Sequence, residues 1–276
     1  MPIFHAIILG LTQGLSEFLP ISSSGHLVLV PWLFGWNDLK DASLAKSFDV
    51  SLHLGTLIAV IGYFRGLLFT YIRDGMKAVF NRNERATIEG RLAWLFVLSA
   101  LPAAAVGAVA DSWIEDNLGQ IPLIAILLIV FGVVLMWADR LLGKRTIDDF
   151  NRRDALFAGA VQVLALAPGV SRSGSTITAT RWLGFDRDSA ARISFLMSVP
   201  ITGGAVVFKM AKLVKDGIPA DLKGAMVAGI ITSAISGWIA VWGTIKLVRT
   251  RSFAPFVIYR VVAGVVVLVL AATVLN

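Results

Sequence analysis

The chain contains no cysteine, which removes disulfides, thiolate nucleophiles and cysteine-based metal sites together. Charge is scarce as well: Asp, Glu, Lys and Arg make up 16% of 276 residues, against about a quarter in a soluble globular protein. The strict apolar–polar alternation of a membrane barrel strand is missing. No RNA- or DNA-binding motif accompanies the basic residues, which sit in short connections between apolar runs. The net charge of +7 and pI near 10.0 therefore point to anionic lipid headgroups, with no nucleic-acid partner expected. Met1 to Ala6 carries no Lys or Arg, and no small-residue cleavage site closes the first apolar run, so a cleaved signal peptide is not expected.

What is present is apolar. Hydrophobic residues make up 57% of the chain and the mean hydropathy is +0.77. They fall into runs of about 17 to 25, enough to cross a hydrocarbon core of roughly 30 Å as helices. Six spans are expected, at roughly 48–71, 92–110, 121–142, 190–210, 225–247 and 254–275. Two further apolar regions, 3–35 and 155–184, are broken by polar stretches into pieces too short to span, and each predicts a re-entrant helical hairpin. Trp32, Trp36, Trp94, Trp113 and Trp137 fall near span ends, where aromatic belts form.

The two broken regions are copies. At an offset of 149 residues Ala6, Gly10, Gln13, Leu15, Ser22, Ser24, Gly25 and Gly35 meet Ala155, Gly159, Gln162, Leu164, Ser171, Ser173, Gly174 and Gly184. Composition alone would give roughly two such identities over this window. Each copy holds one hairpin and three spans, and an odd number of spans makes the second copy enter from the opposite side. The expected fold is an all-α integral membrane protein with six transmembrane helices and two re-entrant hairpins in an inverted repeat. It forms a single membrane domain over 1–276, with repeats of about 1–145 and 150–276 and the hairpin tips meeting near the middle.

Charge suggests the orientation. Connection 73–91 carries Arg73, Lys77, Arg82, Arg85 and Arg91, and connection 139–154 carries Arg140, Lys144, Arg145, Arg152 and Arg153; both are expected in the cytoplasm, as is Lys246 to Arg251. Connection 111–120, with Asp111, Glu115 and Asp116 and no base, is expected outside. Lys209, Lys212, Lys215 and Lys223 run against this scheme, since it places them outside too.

Ionisable residues inside apolar runs carry the chemistry. Gln13 and Glu17, four apart, share a helix face and could hold a hard cation such as Mg²⁺ or Ca²⁺, or Glu17 alone could act as a base. A polar pair satisfied inside a bundle is the plain alternative, but an intramembrane glutamate costs about 3 kcal/mol or more. Ser22, Ser23, Ser24 and Gly25 follow Pro20 where a new helix starts, giving either an anion site of hydroxyls and free N–H groups or simple capping. His26 beside them suits a nucleophile or an acid–base group. His5 and His53 read as ordinary satisfied histidines.

In the second break Arg172 lies between Ser171 and Ser173, where the first copy has Ser23. Its planar fork suits a phosphate, and its plain alternative is an ion pair with Glu17 across the copies. Ser175 and Thr176 could add hydroxyls or cap the following helix. Asp49, Arg65, Arg181 and Arg260 lie within or at the ends of spans, where snorkelling to the interface is the default for arginine.

Gln13-Gly-Leu-Ser-Glu17, Pro20-Ile-Ser-Ser-Ser-Gly-His26 and Pro168-Gly-Val-Ser-Arg172-Ser-Gly-Ser-Thr176 resemble the two signature motifs of the bacterial undecaprenyl pyrophosphate phosphatases, the bacitracin-resistance family. The likeness covers essentially the whole chain, including Ile258-Tyr259-Arg260. It implies a plasma-membrane enzyme that removes the terminal phosphate of undecaprenyl diphosphate, a divalent-cation requirement, and an active site open to the outer face. Glu17, Ser23, His26 and Arg172 match the family's functional positions, and Gln13 stands at its first acidic one, in the amide form. The diphosphate is then expected on Arg172, the serine hydroxyls and backbone N–H groups. His26, Ser23 or water attacks, and the sequence does not choose. Expected partners are the polyprenyl diphosphate and membrane lipids, with a homodimer as the assembly to test. A lipid or anion transporter of inverted-repeat architecture is the competing reading, and a membrane scaffold leaves both polar hairpins unexplained.

Overall fold

A computed structural model describes residues 1–38, 42–80, 87–217 and 220–274. Eleven α-helices follow one another there: α1 (Ile3–Phe18), α2 (Ser23–Phe34), α3 (Ala42–Tyr63), α4 (Arg65–Phe80), α5 (Ile88–Leu118), α6 (Ile121–Asp139), α7 (Arg152–Val163), α8 (Arg172–Trp182), α9 (Arg187–Asp216), α10 (Ala220–Val248) and α11 (Ala254–Val274). No strand occurs among the described residues. Six helices are long and apolar enough to cross a membrane: Leu44–Tyr63, Ile88–Ala110, Ile121–Asp139, Arg187–Ala211, Leu222–Val248 and Ala254–Thr273. The all-α integral membrane fold follows from these, because only helices satisfy every backbone group within one segment in hydrocarbon.

Several expected boundaries move. The span placed at 48–71 ends at Tyr63, and Arg65 opens α4 as a separate helix. Residues 111–118 continue α5, so the acidic connection is largely helical; Asp116 is exposed there, while the side chains of Asp111 and Glu115 lie outside the described set. Lys209 and Lys215 ride on α9 and Lys223 on α10, not in a loop. Long amphiphilic helices pass beyond the bilayer because their ends are polar enough to stay in water, and hydropathy marks only the middle. Arg82 and Arg85 lie outside the described residues, as does the side chain of Lys212.

The two broken regions become helix pairs. α1 and α2 meet at residues 19–22, and α7 and α8 at 164–171, the latter through a 3-10 turn over Leu164–Leu166. At about 1.5 Å per residue the 12 residues of α2 cover about 18 Å, short of a bilayer. α1 packs on α10 and α7 on α5, with close backbone approach in both. A Cβ on Gly10 would lie 2.7 Å from the Gly229 carbonyl oxygen, and one on its counterpart Gly159 would lie 2.5 Å from that of Ser99. Matching glycines thus do matching work in the two copies. Beneath them the core closes with Phe18 edge-on to Phe195 at 5.3 Å, and with Phe150 between Phe96 and Phe185.

Candidate active site

The tips of the two helix pairs touch. Ser22 and Ser171 are the only non-glycine residues with positive φ among the described residues, at 78° and 77°, and they are counterparts in the repeat. Such a backbone costs on the order of 1–3 kcal/mol and persists only where surroundings impose it. Each serine caps the helix it precedes, its Oγ accepting from Gly25 N–H or Gly174 N–H. Ser22 Oγ also accepts from Gly169 N–H across the tips at 3.0 Å, and Ser173 Oγ donates to the Leu19 carbonyl at 3.1 Å. These turns set Ser23 and Arg172 as the first residues of α2 and α8, at helix ends whose N–H groups and dipole favour an anion.

Both first residues converge on Glu17, at the end of α1. Ser23 Oγ donates to Glu17 Oε2 at 2.6 Å, and Gln13 Nε2 donates to the same oxygen at 3.1 Å. Arg172 donates to Glu17 Oε1 through Nη2 at 3.0 Å and Nε at 3.3 Å, while its Nη1 donates to the Ser194 carbonyl. Glu17 is 6% exposed. Desolvating one charge here would be expensive; the guanidinium, the hydroxyl and the amide offset that by satisfying both carboxylate oxygens. Arg172 has five N–H groups and spends three, so two stay free for another anion.

Glu17, Ser23 and Arg172 line a cavity of about 310 Å³ shared with Ser24, Asp49, His53, Gln162 and a wall of Ala103, Leu166, Ile201 and Val206. A larger recess of about 460 Å³ lies at the other end of α9, around Asp139, Arg181 and Arg187, far from this constellation. The smaller cavity is the one with the chemistry. Polar groups at one end and an apolar wall beside them suit a phosphorylated lipid.

Other expected site residues serve the frame. Gly25 is a contact point, since a Cβ there would lie 3.2 Å from Gly169 N. Ser171 caps α8, and the Thr176 hydroxyl bonds the Arg172 carbonyl and Ser194 Oγ. The hydroxyls of Ser22, Ser171, Ser173 and Thr176 are therefore committed within the protein, while Ser23 and Ser24 face the cavity. The structure does not bring His26 beside Glu17. Its Nδ1 lies 2.7 Å from the Ser22 carbonyl and its Nε2 2.7 Å from the Tyr259 hydroxyl, with the two rings stacked at 5.6 Å. Three residues past Ser23 on a helix, it projects toward α11, away from the cavity.

His53, read from the sequence as an ordinary satisfied histidine, stands nearer the carboxylate than the sequence indicated. It lines the cavity with Nε2 3.8 Å from Glu17 Oε2, and Nδ1 faces the Asp49 carbonyl. The spacing of four between Asp49 and His53, inside an apolar span, was the available signal. His5 stands apart, bonded to Asp38 and stacked on Trp36. Two arginines expected to snorkel are buried instead. Arg181 donates to the carbonyls of Asp139, Leu141 and Phe185. Arg260, with 0% exposure, donates to the carbonyls of Pro20, Leu127, Leu128, Gly169 and Val170. Breaking two helices frees carbonyls in the interior, and the Arg260 guanidinium collects those of Pro20, Gly169 and Val170 while anchoring on two carbonyls of α6.

The donor set suits a hard cation in part. Gln13 Oε1 is buried without a partner next to Glu17, which makes an all-oxygen pair. No group of three or more His, Cys, Asp or Glu able to hold a metal occurs among the described residues, so further ligands would have to be phosphate oxygens or water.

The family described as bacitracin resistance protein BacA matches residues 6–266. The chain is 47% identical to the undecaprenyl-diphosphatase of Geobacter sulfurreducens over 270 residues, covering 97% of this chain and 98% of the relative. It is 48% identical to that of Pelobacter propionicus, covering 96% and 95%, and 45% identical to that of Elusimicrobium minutum, covering 97% of each.

Proposed function

The chain belongs to the bacitracin resistance protein BacA family, and from that premise we propose that the cavity around Glu17 is the active site of its phosphatase reaction. The protein is a multi-pass membrane enzyme, an undecaprenyl-diphosphatase. It hydrolyses undecaprenyl diphosphate to undecaprenyl phosphate and inorganic phosphate, which recycles the lipid carrier for peptidoglycan synthesis and confers bacitracin resistance. The observation that carries the site is the convergence of Ser23 and Arg172, first residues of two different helices, on one buried carboxylate.

The diphosphate lies against the N-terminal ends of α2 and α8 with its terminal phosphate on the two free N–H groups of Arg172. Its polyprenyl tail follows the apolar wall of Ile201, Ala205 and Val206. Ser23 Oγ attacks the terminal phosphorus, and its proton passes to Glu17, already in hydrogen-bond contact. The bond to the bridging oxygen breaks and undecaprenyl monophosphate leaves. Glu17 gives that proton to the departing monophosphate and is a carboxylate again. Water then attacks the phosphoserine, its proton passing to Glu17 and on to Ser23 Oγ as the Ser23–phosphorus linkage breaks and inorganic phosphate leaves. Arg172 stabilises the charge on the equatorial oxygens throughout. Gln13 and Glu17 are the residues that would hold a divalent cation, Mg²⁺ or Ca²⁺, which when bound supplies positive charge to the diphosphate oxygens. His26 is a positioning residue that fixes the start of α2 through Ser22 and Tyr259.

α1–α2 and α7–α8 are re-entrant hairpins of an inverted repeat. Their shortness and the matching strain at Ser22 and Ser171 support this. The enzyme sits in the bacterial inner membrane with its cavity open to the periplasm. Lys209, at the cavity, lies 22 residues along α9 from Arg187, about 33 Å from the arginine-rich end that the positive-inside rule assigns to the cytoplasm.

Phosphate release by purified protein from undecaprenyl diphosphate tests the site. Ser23→Ala should lose about 10³-fold in kcat with the protein still folded, and quenched wild-type turnover should show phosphate on Ser23 by mass spectrometry. Wild-type rates in Ser23→Ala would remove Ser23 from the mechanism.

A further inference from the structure

Gln162 stands in the same cavity with nothing to hold. It closes α7, is 2% exposed, and lines the wall beside Glu17 and Arg172. Neither Nε2 nor Oε1 has a hydrogen-bond partner within the protein. An amide carries two donor hydrogens and two acceptor lone pairs, and a buried one left unpaired is destabilising. Exchanging the assigned N and O leaves the situation unchanged, because both atoms are unpartnered. The repeat shows how this arises. Gln162 is the counterpart of Gln13, which spends its amide on Glu17 one turn later, whereas Leu166 occupies the corresponding turn after Gln162. The second copy keeps the amide and lacks the carboxylate that would occupy it.

We propose that Gln162 is a substrate contact, its Nε2–H donating to an oxygen of the terminal phosphate held by Arg172. Gln162 and Arg172 line the same cavity, and the amide is uncharged, so it grips the anion without competing with Arg172 for Glu17. Its Oε1 remains to accept from a water on the same phosphate. The inference rests on the cavity being the phosphatase site. It gives Gln13 and Gln162, identical in sequence and position, different duties: one holds the carboxylate, the other the phosphate.

The test uses the full-length purified protein, with Gln162→Leu and Gln162→Met as apolar replacements of similar size, and Arg172→Ala alongside. Three quantities are measured: kcat/KM for undecaprenyl diphosphate, the inhibition constant of inorganic phosphate, and Tm. Expected for the leucine variant are a kcat/KM about 10- to 100-fold lower, phosphate inhibition weakened in parallel, and a Tm not lowered, since an unpaired buried amide has been removed. Unchanged kcat/KM and unchanged phosphate inhibition overturn the proposal. So does a lowered Tm in both variants with phosphate inhibition intact, and so does failure of both to fold, because each assigns the amide to the fold. An inactive Arg172→Ala beside a neutral Gln162→Leu sinks this inference alone; an active Arg172→Ala sinks the site itself.

Discussion

The first helix pair and the second are built to one plan and differ where the chemistry is. Both turn at a serine with positive φ, both cap the next helix with that serine, and both lean a glycine against a neighbouring backbone. Then the copies part. Position 17 is glutamate and its counterpart 166 is leucine; position 23 is serine and its counterpart 172 is arginine. Two helix ends face one cavity, and the differences at these two positions give one end a carboxylate with a hydroxyl and the other a guanidinium. A symmetric pair of either kind would fail: two glutamates would repel each other and the diphosphate, and two arginines would bury charge without a carboxylate to pair with.

The sharpest way to break the comparison is to remove what only the second copy has. Arg172→Ala should lower phosphate release at least 10³-fold, and Arg172→Lys should recover little, because a lysine cannot bridge Glu17, Ser194 and a phosphate at once. Rates within tenfold of wild type in the lysine variant would mean that charge alone suffices.

A smaller effect separates His26 from the groups in the cavity. His26→Ala should reduce kcat by about 10- to 100-fold through a misplaced Ser23, with the shape of the pH–rate profile retained. Tyr259→Phe should do part of the same damage, and the double variant should be no worse than His26→Ala alone. A loss as complete as that of Arg172→Ala, or phosphate trapped on the ring, would return His26 to the role of nucleophile.

The smallest effect tests what the copies share. Gly10→Ala and Gly159→Ala each force a methyl against a carbonyl oxygen 2.7 and 2.5 Å away, so each should cost about 1–3 kcal/mol and lower Tm. Kinetics per folded molecule should change little in either, since neither glycine reaches the cavity. A drop confined to one of the two would show that the packing of α1 on α10 and of α7 on α5 is less alike than the matching glycines suggest.

Hydropathy and the signature motifs made much of this legible beforehand. The six spans, the two breaks and the family are local or motif-borne, and local patterns survive in a linear string; the motifs also named Glu17, Ser23 and Arg172, which the structure brings into contact. Helix ends were read poorly at Leu118 and Asp216, because beyond the bilayer a helix needs only propensity and water, neither of which hydropathy records, and at Tyr63 an apolar run continuing past it hid the break before α4.

The sequence by itself determined the class of the protein and the residue types available for catalysis, since lipid leaves a chain this apolar no option but helices and leaves a buried glutamate few reasons to exist. Only the tertiary structure decided which groups meet. It turned His26 toward Tyr259, brought His53 to Glu17, buried Arg260 among the carbonyls of both tips, and left Gln162 unpaired at the cavity wall. Those outcomes depend on the direction each side chain takes from its helix and on which helix packs opposite, and a 3.6-residue period in one segment holds neither.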